Sequence, residues 1–169
     1  MCGIVGFINC GNKQELEHAV AVIKHRGPDF QGVNWFDNQN SGLGHARLSI
    51  IDLSSEGNQP MYDKNTGNWI VFNGEIYNFQ GIRNELKTKG WSFKSLSDTE
   101  VVLKAYVEWG KEAITRFNGM FSFAIYNENS GNLFVCRDRL GIKPLYYYQN
   151  GNQVVFASEI KSILAYKGY

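Results

Sequence analysis

Neither sign of charge dominates this sequence: 17 Lys and Arg stand against 16 Asp and Glu, a formal net charge of +1, and no stripe or tail gathers either sign. That removes the electrostatic footprint expected of a protein for nucleic acid or an anionic membrane. Cysteine is equally scarce. Cys2, Cys10 and Cys136 cannot all pair, they lack metal-ligand spacing, and His18, His25 and His45 cluster with none of them, so they read as free thiols in a reducing cytoplasm. No run reaches the ~18 apolar residues of a membrane helix. The apolar start, Met1 to Ile8, has no basic region before it and is not a signal peptide. There is no internal repeat, linker or low-complexity segment.

What is present is ordinarily globular. The 169 residues suit one domain with a sizeable core, 43% hydrophobic and 20% charged, and the 14% of aromatics sit mostly in the second half. Residues 3–8 read as a buried strand. Leu16, Val20 and Ile23 share one face of a helix over residues 14–24, which His25-Arg26-Gly27-Pro28-Asp29 ends, because a residue before proline is pushed out of the helical region. Strand-like stretches follow at 42–50 and 69–73. A second helix starts at Asn78, with Phe79, Ile82 and Leu86 as its apolar stripe and Gly90 just beyond its end. Ser97-Asp98-Thr99-Glu100 is a capping box, which puts Asp98 in the first turn of a helix beside exposed N–H groups. Short aromatic and β-branched stretches at 119–126, 133–137, 145–148 and 154–157 alternate with Asn/Gly-rich turns. Many strands with three or four helices, in no regular alternation, give an α+β fold. The 119–125 strand is apolar on both faces and must be covered on both sides, as where two sheets pack.

Cys2 carries the most chemistry. Its small side chain allows an aminopeptidase to remove Met1, leaving a thiol and a free α-amine on one residue. A thiol of pKa ~8.5 is a poor nucleophile without an adjacent base. An α-amine of pKa ~7.7–8.0 is such a base, carried in the same covalent frame. Taken alone, a cysteine at position 2 is also simply a small residue.

Eight segments decide between these readings: Met1-Cys2-Gly3-Ile4-Val5-Gly6, His25-Arg26-Gly27-Pro28-Asp29, Arg47-Leu48-Ser49-Ile50-Ile51-Asp52, Asn73-Gly74-Glu75-Ile76-Tyr77-Asn78, Ser97-Asp98-Thr99-Glu100, Gly119-Met120-Phe121-Ser122-Phe123-Ala124, the run from Arg137 to Tyr147, and Ala157-Ser158-Glu159-Ile160-Lys161. In this order, over essentially the whole chain, they resemble the glutaminase domain of asparagine synthetases, a class II glutamine amidotransferase of the N-terminal-nucleophile hydrolase type. The resemblance implies a four-layer αββα sandwich, two antiparallel sheets between helix layers. It also implies hydrolysis of L-glutamine to L-glutamate and ammonia through a Cys2 thioester.

Roles follow by the same resemblance. Glutamine offers a carboxylate, an ammonium and an amide carbonyl, so its site needs a cation, an anion and an oxyanion hole. Arg47 matches the carboxylate-gripping arginine, to which a planar fork is suited; read locally it is a strand-end surface residue. Asp98 matches the aspartate that holds the ammonium; locally it is a helix-start carboxylate favoured by the dipole, and both readings can hold. Asn73 and Gly74 match the oxyanion hole, although Asn-Gly after residues 69–72 is by itself a hairpin turn. Glu75 and the backbone of Ile50 and Ile51 complete the pocket.

Several residues attract attention without gaining a catalytic role. His25, Arg26 and Asp29 read as structuring a turn near the site, His45 as a packing or hydrogen-bonding residue, and Cys10 and Cys136 as structural. Lys143-Pro144 lacks the spacing of a phosphate loop. No metal or organic cofactor is expected for glutamine hydrolysis; ATP and Mg are expected only in a following synthetase domain, whose pyrophosphate loop has no counterpart in residues 1–169. The chain then reads as an excised N-terminal half or as a stand-alone subunit that passes ammonia to a synthetase on another chain; homodimer formation is left open. Two rivals share these motifs: the glutaminase half of another amidotransferase, for instance one amidating a sugar acid, and a non-catalytic glutamine-binding module.

Overall fold

Side-chain alternation along the first strand already sorts the molecule into layers. In β1 (Gly3–Ile8) Val5 and Phe7 point into one apolar cluster with Leu16, Ala19, Val20 and Ile23, whereas Ile4 and Ile8 point into another with Leu43, Val71, Ala124 and Phe156. A strand apolar on both faces is stable only between two layers. The computed structural model describes residues 1–168, so the last residue of the expected 1–169 domain lies outside the described residues.

After β1 the chain forms α1 (Lys13–Val22), β2 (Phe30–Phe36), β3 (Ser41–Arg47), β4 (Met61–Asp63), β5 (Asn68–Ile76), α2 (Phe79–Thr88), α3 (Asp98–Trp109), β6 (Gly119–Asn127), β7 (Leu133–Arg137), β8 (Tyr146–Asn150), β9 (Gln153–Ala157) and α4 (Ile160–Ile163). The strands make two antiparallel sheets, ordered β2-β3-β1-β9-β8 and β4-β5-β6-β7. Helices α1 and α4 cover the first, α3 with α2 against it covers the second, and the two sheets face each other. The expected four-layer αββα sandwich is therefore the architecture. Full burial of each large aliphatic side chain contributes ~1.5–3 kcal/mol, so β1, buried along its whole length, anchors the start of the chain.

Two strands were not legible. β2 interrupts its apolar residues with Gln31, Gly32 and Asn34 and runs half-exposed at a sheet edge, and β4 is three residues long. The hairpin-turn reading of Asn73-Gly74 is corrected. Both residues lie inside β5, opposite Ser122 and Phe121, because β6 continues to pair as far as Gly119. The capping box is half realised. Ser97 Oγ accepts from Glu100 N at 3.4 Å, but the Glu100 carboxylate reaches past Ser97 to Ser95 N (2.7 Å) and Ser95 Oγ (2.8 Å).

Candidate active site

Strand parity carries the site residues to one place. Leu43 faces the space between the sheets, so His45 and Arg47 on the same strand face it too. Val71 faces it from β5, and with it Asn73 and Glu75. Cys2 shares the parity of Ile4. At this end of the sandwich the side chains thin out into a cleft of about 230 Å³, lined by Cys2, Arg47, Asn73 and Asp98. Ile50, Ile51, Gly74 and Glu75 also line it, so every predicted site residue reaches one cavity.

Arg47 is nearly buried, 7% exposed, at the end of β3. Its guanidinium donates to Ser54 O (2.8 Å), to Asn58 Oδ1 (2.6 Å) and to the carbonyl of Asp52. These acceptors are neutral, so the positive charge has no carboxylate partner among the described residues. Of five donors, those on Nε and the second on Nη2 stay available to a ligand. Gly57 lets the 54–58 loop close this tightly: a β-carbon there would lie 2.4 Å from Arg47 Nη2.

Asp98 supplies the opposite charge. It opens α3 behind the Ser97 cap, is 5% exposed, and accepts from Ile76 N at 3.1 Å. Burial raises its pKa to about 6, against the pull of backbone N–H groups at the helix start.

The oxyanion candidates are set by strand geometry. Phe72 N donates to Gln59 Oε1 (2.6 Å) and Ile76 N to Asp98 Oδ2, both on the β5 edge away from β6. The alternation of an antiparallel ladder puts Gly74 N–H on that same edge, between them and facing the cleft. A β-carbon on Gly74 would stand 2.3 Å from Met120 O, which explains the glycine. Asn73 is 1% exposed, and its Nδ2 is buried with no hydrogen-bond partner among the described residues. Buried amide donors are ordinarily satisfied, so an orphan at a cleft wall points to a ligand oxygen.

Cys2 is held from two sides. Leu48 N donates to its Sγ at 3.4 Å, and Arg26 Nε donates to its carbonyl at 2.9 Å. Burial pushes the thiol pKa up, while the Leu48 hydrogen bond, the positive N-terminus and Arg47 pull it back. The residues expected to shape a turn do so. Arg26 and His25 meet Glu159 Oε1 at 3.1 and 2.9 Å, and Asp29 Oδ2 accepts from Ser49 N at 2.8 Å, beside the strand end that carries Arg47. Ile50 is 72% and Ile51 38% exposed on the following loop, and Glu75 is exposed at the rim. His45 is fully buried, its Nε2 donating to Phe72 O at 3.1 Å, which pins β5 immediately before Asn73; burial depresses its pKa to about 3. Cys10 is buried, and burial pushes the Cys136 thiol up to about 11.

Sequence reading missed three contributors: Asp52, Gln59 and Lys143 all line the cleft. Asp52 and Lys143 sat inside the matching segments without a role, and nothing local marked Gln59. Among the described residues no group of three or more His, Cys, Asp or Glu could hold a metal, and no helix is long and apolar enough to cross a membrane.

The two facing antiparallel sheets and their helix layers define an αββα sandwich with its cleft at the start of β1. A B. subtilis glutamine phosphoribosylpyrophosphate amidotransferase shares it with a TM-score of 0.82 at 21% identity, over 97% of this chain and 43% of that one. The chain belongs to the glutamine amidotransferase domain family, which matches residues 1–169. It is 44% identical over 171 residues to asparagine synthetase [glutamine-hydrolyzing] 1 of Bacillus subtilis, covering 97% of this chain and 27% of the relative. It is 43% identical over 181 residues to amidase chry2 of Gibberella zeae, covering 98% and 27%. The chain thus spans about a quarter of the length of these two relatives.

Proposed function

We propose that this domain hydrolyses L-glutamine to L-glutamate and ammonia, with Cys2 as nucleophile once Met1 has been removed. The observation that carries the reading is the Asn73 amide, unpartnered among the described residues, in a cleft that also holds Cys2, a buried anion at Asp98 and, at Arg47, a cation with no ion pair among those residues. Arg47 and Asp98 would take the α-carboxylate and α-ammonium of an amino acid, leaving its side-chain amide toward the thiol.

In this reading the Cys2 α-amine takes the thiol proton, and the thiolate attacks the amide carbon. Asn73 Nδ2 and Gly74 N–H stabilise the tetrahedral oxyanion. The amine returns its proton to the departing nitrogen as the C–N bond breaks, and ammonia leaves. Water then cleaves the γ-glutamyl thioester, restoring the thiol. Every group in this half-reaction is on the chain, and neither metal nor organic cofactor enters it. The ammonia would pass, in the cytoplasm, to an ATP- and Mg-dependent synthetase portion or subunit that makes asparagine, as the names of the similar synthetases suggest. The similarity to an amidase favours a second reading of the acceptor only: the same half-reaction can serve another amidation.

The test is glutamate release from purified protein with and without ATP, alongside Cys2→Ala. Release without ATP that Cys2→Ala abolishes supports the proposal. Glutamine bound in calorimetry but never hydrolysed would favour a binding module instead.

A further inference from the structure

The run from Arg137 to Tyr147 has no part in the reading above, yet it brings a buried cation to the cleft, against the residue that precedes Cys2. The Asp138 carboxylate gathers four backbone N–H groups, those of Phe121 (3.3 Å), Leu140 (3.2 Å), Ile142 (2.9 Å) and Lys143 (2.9 Å). From the other side the Arg137 guanidinium takes the carbonyls of Lys143 (2.6 Å) and Gly141 (2.7 Å). Carboxylate and guanidinium together fix the 138–143 loop, and the Lys143 side chain enters the cleft that Met1 and Cys2 also line.

Lys143 is 6% exposed, and its Nζ lies 3.4 Å from Met1 Sδ. It makes no ion pair among the described residues. A thioether is a weak acceptor, and an ammonium buried on so poor a partner is costly. The residue that occupies it is the one whose removal would expose the Cys2 amine.

We propose that Lys143 is a positioning residue whose ammonium, after Met1 is removed, stands beside the Cys2 α-amine and holds that amine in its unprotonated, basic form near neutral pH. The inference rests on Cys2 acting through its own amine, as above. An ordinary α-amine of pKa ~7.7–8.0 is mostly protonated at pH 7, and a neighbouring cation disfavours the protonated form. The other charges facing Cys2 do not supply this. Arg26, which holds the Cys2 carbonyl, is compensated by Glu159 at 3.1 Å. Arg47 on β3 and Asp98 on α3 oppose each other and, with glutamine bound, each takes one end of it. Asp52 is occupied by the 54–58 loop and Leu96, and Glu75 on β5 is exposed to solvent screening. Among the described residues that line the cleft, Lys143 is the charge that would stay uncompensated with substrate bound.

The experiment is the pH profile of kcat, whose acid limb reports the base in the substrate complex, for wild type, Lys143→Met and Lys143→Arg, with loss of Met1 verified by mass. In Lys143→Met the limb should move up by about one pH unit, so that turnover falls several-fold at pH 7 and recovers above pH 9. Lys143→Arg should keep the wild-type limb. An unmoved limb in Lys143→Met, or an equal shift in both variants, overturns the proposal; Lys143→Gln serves if the methionine variant does not fold. Failure of the underlying reading is distinct: wild type would then release no glutamate, or Cys2→Ala would still do so.

Discussion

Asp52 Oδ2 accepts the backbone N–H of Leu96 at 2.7 Å, and this bond joins the loop that holds Arg47 to the turn that delivers Asp98. The other carboxylate oxygen accepts Ser54 N (2.8 Å) and Ser54 Oγ (2.6 Å), and the Asp52 carbonyl accepts from the Arg47 guanidinium. The Ser54 hydroxyl and the surrounding N–H groups hold the Asp52 pKa below the usual carboxylate value. One residue therefore ties the loop that holds the Arg47 cation to the turn that carries the Asp98 anion, the two charges of the proposed amino-acid site.

Asp52→Ala should raise the KM for glutamine by about tenfold or more with a smaller change in kcat, because both charge anchors lose a common support. It should also cost about 1–3 kcal/mol of stability, from N–H groups left unsatisfied. Steady-state kinetics and urea unfolding of the purified variant read both. A fall in kcat at unchanged KM would count against the positioning argument.

Asn73 and Arg47 should separate kinetically. Asn73→Ala removes a donor needed mainly when charge develops on the oxygen, so kcat should fall by about 10²–10³ with little change in KM. Arg47→Ala removes a ground-state contact with the carboxylate and should raise KM strongly. If the two variants share one kinetic signature, this division of roles is wrong.

The sequence was most informative where burial and period agree. β6, apolar on both faces, called for two packed sheets, Ser97 marked the start of α3, and the four-layer order came with the family resemblance. Composition could not show that Asn73-Gly74 continues a strand, because local Asn-Gly chemistry favours a turn and only pairing with β6 overrides it. Nor could it show the supports of the site. Asp52, Gln59, His45 and Lys143 act across contacts between segments distant in sequence: Gln59 Nε2 reaches Thr99 Oγ1 at 3.1 Å, and His45 reaches the Phe72 carbonyl. Such partners carry no local signature.

His45 and Asp98 should make stability depend on pH in opposite directions. The folded pKa of His45 is depressed from 6.5 to about 3, so its contribution is present above pH 6.5 and lost as pH falls toward 3. That of Asp98 is raised from 3.8 to about 6, so its contribution is present below pH 3.8 and lost as pH rises through 6. A tenfold change in proton affinity corresponds to ~1.4 kcal/mol, so each group contributes on the order of a few kcal/mol. Asp98→Asn should therefore stabilise the unliganded protein at pH 8 but not at pH 3.5, and His45→Gln should flatten the loss of stability between pH 6.5 and 3. Urea unfolding at these pH values checks both signs; an Asp98→Asn variant less stable than wild type at pH 8 would refute the assignment for Asp98. Glutamine affinity should also weaken below pH about 6, as Asp98 takes up its proton.

The chemistry proposed for Cys2 depends on a single bond, the peptide link to Met1. In the intact chain the Cys2 nitrogen is an amide, which accepts no proton near neutral pH, so the thiol has no base on its own residue. The rest of its setting is already in place: Arg26 holds the Cys2 carbonyl and Leu48 N–H meets the sulfur. Inserting Ala between Met1 and Cys2 separates these factors, since Met1 can still be removed while Cys2 remains internal with its contacts intact. Active wild type should have a mass one methionine short, and the inserted variant, equally processed, should fall about 10²–10⁴-fold, the range a general base contributes, to near the level of Cys2→Ala. Turnover at the wild-type rate would mean that the base lies elsewhere. His45 is then a poor candidate, because its Nε2–H is committed to the Phe72 carbonyl and its pKa lies at about 3. The exposed His25, already hydrogen-bonded to Glu159, would be the residue to replace next.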